Sequence, residues 1–217
     1  MMETPTATQT LPDNYKLSKS LNLIKEPKLL LTLSLYSIVL FIAAWIGMGW
    51  LLQWLRPGTD SGGVSISFSV TGIADIVTPF LVILGVTAVM IVVHEAIHGI
   101  FFRVYTGGKV KFAFKGAYAY AAVPGWYISK RPYMVVSLAP LVLMTVGGVL
   151  ALLWVPVNWV IPIMLLVAMN AAGAVGDIYV FWLLTRMSDD VLVCDFGEKM
   201  KMYAPGIEGV VEQGDAG

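Results

Sequence analysis

The chain has 217 residues, of which 58% are hydrophobic and only 13% are charged. Soluble globular domains carry about 25% charged residues, so this composition argues against that class and predicts an integral membrane protein. The 14 basic and 14 acidic residues give a formal net charge of zero, and a single cysteine, Cys194, excludes an intramolecular disulfide framework.

Four segments are apolar and long enough to cross a bilayer, which takes about 20 residues for a hydrocarbon core of about 30 Å. They are residues 29–55, 76–102, 133–157 and 158–184. We therefore expect an all-α membrane protein, a bundle of four transmembrane helices with a small β-hairpin on the cytoplasmic side. Three parts follow from this: a polar and basic N-terminal segment at 1–28, the transmembrane domain at 29–187 and a C-terminal tail at 188–217.

Basic residues indicate how the spans are oriented. All of the 14 except Arg56 lie before the first span, between the second and third, or after the fourth. The positive-inside rule therefore predicts a multi-pass protein with both termini in the cytoplasm. Topology explains this charge adequately, so the lipid bilayer is an expected partner and nucleic acid is not.

A candidate hairpin lies between the second and third spans. The sequence "KVKFAFKGAYAYAAVPG" alternates with period two on either side of Lys115 and Gly116, which predicts a β-hairpin at about residues 109–122. The aromatic residues in it favour an interfacial position. The hairpin is either a structural element resting on the bilayer or part of a substrate-binding surface.

The second span contains "MIVVHEAIHGIFF", in which ionisable residues interrupt an apolar run. His94 and His98, the only histidines, are four residues apart and so project from one face of a helix, as two ligands of one metal ion would. Glu95 lies beside them, where it could act as general base toward a water molecule on the metal. The alternative is a pair of core histidines hydrogen-bonded to neighbouring helices.

A third ligand must come from another segment, because catalytic zinc usually has three protein ligands. Apart from the glutamate beside the histidines, Asp177 is the only carboxylate well inside a predicted span. His94 lies nine residues before Arg103, and Asp177 lies nine before Arg186, so each is about 13 Å above its cytoplasmic arginine. This equal depth predicts a His-His-Asp zinc site in the inner half of the membrane. Alternatively, Asp177 forms a helix–helix hydrogen bond or a proton relay.

Two further residues stand near this candidate site. Asn170 is two turns before Asp177 and nearly on the same face. Its amide could bind substrate by donating to a peptide carbonyl or a developing oxyanion, or it could join helices as a structural group. Pro140, in "SLAPL", predicts a kink in the third span, which either opens a path to the metal or only shapes the bundle.

These elements resemble the site-2-protease-like intramembrane zinc metallopeptidases, through "HEAIH" in one span and an asparagine followed by "GD" in a later one. The chain is more similar still to a family of uncharacterised zincin peptidases of bacteria and archaea, over residues 76–195. The resemblance implies a prokaryotic cell membrane, zinc ligated by His94, His98 and Asp177, and Glu95 as the catalytic acid and base. It also implies that the hairpin holds substrate by strand addition.

The sequence therefore predicts an intramembrane zinc metallopeptidase acting on membrane proteins or peptides. Two other functions fit parts of the pattern. A zinc-binding membrane protein or transporter would keep the three ligands but would not need Glu95. A structural membrane protein would use the polar cluster only to join helices and would hold no zinc.

Overall fold

The computed structural model describes residues 6–22, 25–57, 71–116 and 118–206. Within them the chain forms five α-helices and seven β-strands. The helices are α1 (Pro27–Leu55), α2 (Ala74–Thr106), α3 (Lys130–Ala151), α4 (Val157–Gly173) and α5 (Val175–Thr185). α1, α2 and α3 are each long and apolar enough to cross a membrane, and α4 with α5 makes a fourth such length.

The helix ends follow the positions of proline and glycine. α1 begins at Pro27, since proline is tolerated where no helical N–H bond is needed. α2 ends at Thr106 and is followed by Gly107, whose φ of 67° is the left-handed conformation common at helix C-termini. α3 is shorter than the predicted 133–157 because it ends at Ala151, ahead of the turn that contains Pro156.

The fourth predicted span, residues 158–184, consists of two helices rather than one. The axes of α4 and α5 differ by 43°, and Ala174 between them has φ −74° and ψ 3°. Gly173 and Gly176 flank this residue, and glycine disfavours helix by about 1 kcal/mol relative to alanine. The break places Asp177 in the first turn of α5, where the exposed backbone N–H groups favour a carboxylate.

The chain also contains substantial β-structure, so the predicted all-α class is wrong in this respect. The strands are β1 (Ala7–Thr8), β2 (Tyr15–Leu21), β3 (Lys111–Phe114), β4 (Ala119–Ala122), β5 (Tyr127–Ser129), β6 (Leu192–Asp195) and β7 (Met200–Pro205). Five of them form an antiparallel sheet in the order β1-β5-β6-β7-β2, which we call the terminal sheet. Both segments predicted as tails thus contribute strands, while residues 207–217 lie outside the described ranges. The division at 29 and 187 stays a prediction.

The predicted hairpin at 109–122 is confirmed. β3 pairs with β4 from Lys111 opposite Ala122 to Phe114 opposite Ala119. The turn contains Gly116 with φ 77°, a conformation that glycine adopts without steric cost. β4 packs against α2, which brings the hairpin to the segment that carries the histidines.

Buried apolar side chains join the terminal sheet to the helices. One cluster combines sheet residues with residues of α2, α3 and α5, among them Ile128, Val193, Met202, Phe102, Val136 and Leu184. Each fully buried side chain of this kind contributes about 1.5–3 kcal/mol. The sheet is therefore packed firmly on one end of the bundle. A second cluster, with Met48, Leu52, Leu152 and Met164, joins α1, α3 and α4.

The outward surface of the helices is strongly apolar. Large hydrophobic side chains of α1 and α2 are more than half exposed, including Leu31, Trp50, Trp54, Phe80 and Val92. Contiguous exposed apolar patches of this size are rare on soluble monomers. Such a surface is suited to contact with lipid.

Candidate metal centre

His94 and His98 of α2 converge with Asp177 of α5. His94 Nε2 lies 3.2 Å from Asp177 Oδ2 and 3.2 Å from His98 Nε2. His98 Nε2 lies 3.5 Å from Asp177 Oδ1. The two histidines are buried, and the three potential ligand atoms all lie within 4.8 Å of one another. The structure thus brings together the three residues that the sequence predicted as one group.

These separations suit a tetrahedral zinc ion. With Zn–N bonds of about 2.0–2.1 Å, two ligand atoms of one ion lie about 3.3 Å apart. The two Nε2 atoms are separated by 3.2 Å. Two imidazoles and one carboxylate also form a donor set that zinc prefers. The residues present therefore fit the ion.

The imidazole of His98 is held in the orientation that ligation requires. Its Nδ1 lies 3.0 Å from the backbone oxygen of Val136. A carbonyl oxygen only accepts hydrogen bonds, so the Nδ1–H donates and the proton is on that nitrogen. The Nε2 lone pair is then free to face the metal position, an arrangement typical of metal-binding histidines.

Asn170 orients the imidazole of His94 in a similar way. Its Oδ1 lies 2.9 Å from His94 Nδ1, and its Nδ2 donates to the backbone oxygen of Pro140 at 3.3 Å. Both polar atoms of the amide are engaged, and the residue is fully buried. These contacts favour the structural alternative for Asn170. Its role in substrate binding stays a prediction and has no support from them.

Glu95 stands beside the three ligands without joining them. It lies close enough to both histidines and to Asp177 to interact with each electrostatically. The backbone of Ala121 in β4 also lies close enough to interact with its carboxylate. β3 occupies the other edge of β4, so the free edge of this strand faces Glu95. Glu95 therefore lies beside both the candidate ligands and this strand edge.

A cavity of about 540 Å³ opens beside this group and is lined by the three ligands and Glu95. Such a volume is in the usual range of ligand sites, about 300–1,000 Å³. Further lining comes from the hairpin, through residues 118–121, and from the segment that joins β6 to β7. The terminal sheet, which the sequence did not predict, is thus part of the site.

Comparison with known proteins bears on this geometry. Residues 87–192 match the family model described as "Putative zincin peptidase". This part of the chain is similar to that family. The predicted resemblance to uncharacterised zincin peptidases is confirmed over residues 87–192, and this similarity indicates a metallopeptidase that uses zinc. No curated protein and no solved structure matches the chain.

One polar pair in the cavity was missed by the sequence reasoning, and half of it lies beyond the zincin match. The hydroxyl of Tyr133 donates to Asp195 Oδ2 at 2.5 Å, and Asp195 Oδ1 accepts from the backbone N–H of Gly197 at 2.7 Å. Both members of the pair are buried. Burial raises the pKa of Asp195, although the hydrogen bonds from Tyr133 and Gly197 oppose this. An acidic residue inside the apolar run "VLVCDF" is the signal that points to it.

Proposed function

We propose that the protein is an intramembrane zinc metallopeptidase that hydrolyses peptide bonds of membrane-associated substrates. The observation that carries the proposal is the convergence of His94, His98 and Asp177, with Glu95 beside them. The histidines and Glu95 lie in α2, which is long and apolar enough to span a bilayer, and Asp177 lies in α5, which reaches that length together with α4. Ionisable groups at such depth are costly and are usually retained for function.

The reaction needs a Lewis acid, a general base and correctly oriented ligands. When bound by the three ligands, zinc would supply a Lewis acid that lowers the pKa of water to about 7 and polarises the scissile carbonyl. Glu95 then accepts the proton of the attacking water and passes it to the leaving amine, because one carboxylate can serve as base and acid in turn. Val136 and Asn170 keep the two imidazoles in the required tautomer.

The substrate segment has to be extended at the site. In an intact helix each carbonyl is bonded to the N–H four residues later, and it is shielded from attack. The free edge of β4 beside Glu95 offers backbone groups to which an extended segment can pair by strand addition. The cavity between the hairpin and the terminal sheet gives room for such a segment.

We also propose that the terminal sheet lies on the cytoplasmic side. Its strands come from the N-terminal segment, the connection before α3 and the C-terminal segment. The distribution of basic residues assigns these three segments to the same side. Their joining in one sheet is consistent with four crossings and supports entry of water from that side.

The decisive test is Glu95→Gln, which removes the base and keeps the ligands. Parent and variant, purified in lipid and loaded with zinc, are each incubated with a membrane proteome, and the cleaved peptides are identified. We expect cleavage by the parent and a loss of about 10²- to 10⁴-fold in the variant, with equal zinc content. Glu26→Gln, at an exposed position ahead of α1, is the control and is expected to cleave as the parent does.

The outcomes separate the three functions. Equal cleavage by parent and Glu95→Gln would contradict the mechanism. A parent that holds one zinc ion per chain without turnover would favour zinc binding or transport. A parent without zinc would favour a structural role for the polar cluster.

A further inference from the structure

We propose that Pro140 is a positioning residue that orients both zinc-binding imidazoles from a single turn of α3. The inference rests on the proposed zinc site, but it concerns residues that are not ligands. It assigns a role to the "SLAPL" element, which the proposed reaction does not otherwise use.

Pro140 leaves one backbone carbonyl of α3 without its helical hydrogen bond. In an α-helix the N–H of each residue donates to the carbonyl four residues earlier. Pro140 lies inside α3 and has no N–H, so the carbonyl of Val136 lacks its helical partner. Val136 is only 1% exposed, so bulk water has little access to it. A buried carbonyl of this kind requires another donor.

His98 supplies the hydrogen-bond donor for this carbonyl. His98 Nδ1–H donates to Val136 O at 3.0 Å. This hydrogen bond fixes the tautomer and directs Nε2 toward His94 and Asp177. An N–H at position 140 would be directed at the same oxygen and would compete with the imidazole for it.

Asn170 connects the carbonyl of Pro140 to the second histidine, His94. The carbonyl of Pro140 itself accepts from Asn170 Nδ2 at 3.3 Å, which orients the amide so that Oδ1 faces His94 Nδ1 at 2.9 Å. Asn170 is fully buried and so has no room to turn freely. The turn from Val136 to Pro140 therefore supports one imidazole directly and the other through one amide. Partners of this kind commonly change metal affinity by about 10- to 100-fold.

Another helix offers a matched control. Pro162 also lies inside a helix, α4, and the carbonyl it frees belongs to Asn158. Asn158 precedes Asn170 by twelve residues, about 18 Å along the helix axis. In the described residues both histidine Nδ1 atoms are bonded elsewhere, to Val136 and Asn170. Pro162→Ala therefore makes the same chemical change away from the site.

The first experiment compares Pro140→Ala with Pro162→Ala. Zinc affinity is measured by competition with a chelator, and the melting temperature is measured on metal-free protein. We expect Pro140→Ala to bind zinc about 10- to 100-fold more weakly. Its metal-free melting temperature should be unchanged or higher, because alanine suits a helix interior far better than proline. Pro162→Ala should keep the parent's affinity.

The second experiment tests the link between Asn170 and His94. It keeps the inference testable if Pro140→Ala does not fold. Asn170→Asp keeps an oxygen that accepts from His94 Nδ1 but loses the donor to the Pro140 carbonyl, whereas Asn170→Ala removes both groups. We expect a loss of zinc affinity of about 10- to 100-fold for Asn170→Ala and a smaller but measurable loss for Asn170→Asp.

Two results would overturn the inference: parental affinity in Pro140→Ala, or equal affinities in the two Asn170 variants. An equal loss in Pro162→Ala would also overturn it, since the effect would then belong to any helix proline. A parent protein that binds no zinc would instead overturn the proposed function.

Discussion

The hydroxyl of Tyr133 in α3 lies 2.5 Å from Oδ2 of Asp195 in β6, so one hydrogen bond joins the helix bundle to the terminal sheet inside the cavity. Tyr133→Phe would leave the buried carboxylate with one backbone donor, Gly197. Hydrogen bonds to charged groups are worth about 1.5–3 kcal/mol, so we expect a loss of about 2 kcal/mol in the free energy of unfolding. Denaturant titration measures it. Tyr36→Phe, at an exposed position of α1, should have no effect, and an equal loss there would contradict the assignment.

Stability should also depend on pH through Asp195. Burial raises the pKa of this carboxyl in the folded protein, so the folded state binds the proton more tightly than the unfolded one. The stability that the protonated carboxyl contributes is fully present below its pKa in the unfolded chain, about 3.9. This stability is lost as pH rises through the higher pKa that the carboxyl has in the folded protein. Asp195→Asn cannot titrate. We therefore expect the melting temperature of the metal-free parent to fall more than that of the variant as pH rises above about 4. Parallel pH profiles would refute this.

Zinc should stabilise the folded protein, because the three ligands are brought together only by folding. His94 and Asp177 come from α2 and α5, and in the unfolded chain they are far apart. A ligand that binds only the folded state adds about 2.7 kcal/mol at a free concentration of 100 times Kd. We expect the parent's melting temperature to rise with added zinc and fall after chelation. Asp177→Asn should reduce the response strongly, and an undiminished response would place the zinc elsewhere.

Two adjacent glycines of α3 should respond oppositely to alanine. A Cβ at Gly148 would overlap Cγ2 of Val167 in α4, whereas a Cβ at Gly147 would meet nothing within 4 Å. Overpacking of a well-packed contact costs about 1–3 kcal/mol. Gly147→Ala should instead be neutral or stabilise by up to about 1 kcal/mol through helix propensity. Thermal denaturation of both variants tests this. Similar shifts in the two would show that α3 and α4 can separate without cost.

Gly197 provides a similar comparison between two left-handed glycines. Gly197 has φ 85°, and a Cβ there would overlap the ring of Tyr120 in β4. Gly125 has φ 83° and no neighbour within 4 Å of a Cβ. Alanine at either position incurs the steric cost of left-handed backbone, about 1–2 kcal/mol. We expect Gly197→Ala to lose measurably more than Gly125→Ala, because only the former displaces the hairpin. Equal losses would argue that Tyr120 moves freely.

Much of the site could be predicted because its signals are local. The spacing of His94 and His98 places them on one helix face whatever the rest of the chain does. Asp177 was identified as the only other carboxylate well inside a predicted span, and its depth, calculated from the rise of a helix, matches that of His94. The hairpin followed from alternation around Gly116.

The features that could not be predicted depend on contacts between distant segments. β1 has only two residues, and although the apolar run "VLVCDF" indicates a possible strand at β6, its four residues do not predict which strands it pairs with. Their structure depends on pairings such as those of Ala7 and Val193 with Ile128 in β5. The contacts of Asn170 likewise depend on the Pro140 carbonyl in another helix. The break at Ala174 did have a local signal, the two glycines around it, but hydropathy alone does not register it.

The terminal sheet has a consequence for how the protein is made. Strands β6 and β7 follow all five helices of the described residues, and they pair with β5 and β2, which are synthesised much earlier. The candidate ligands in α2 and α5 are therefore synthesised before β6 and β7, which carry Asp195 and Met200 of the cavity lining. The wall of the cavity formed by the terminal sheet is assembled after the helices that carry the candidate ligands.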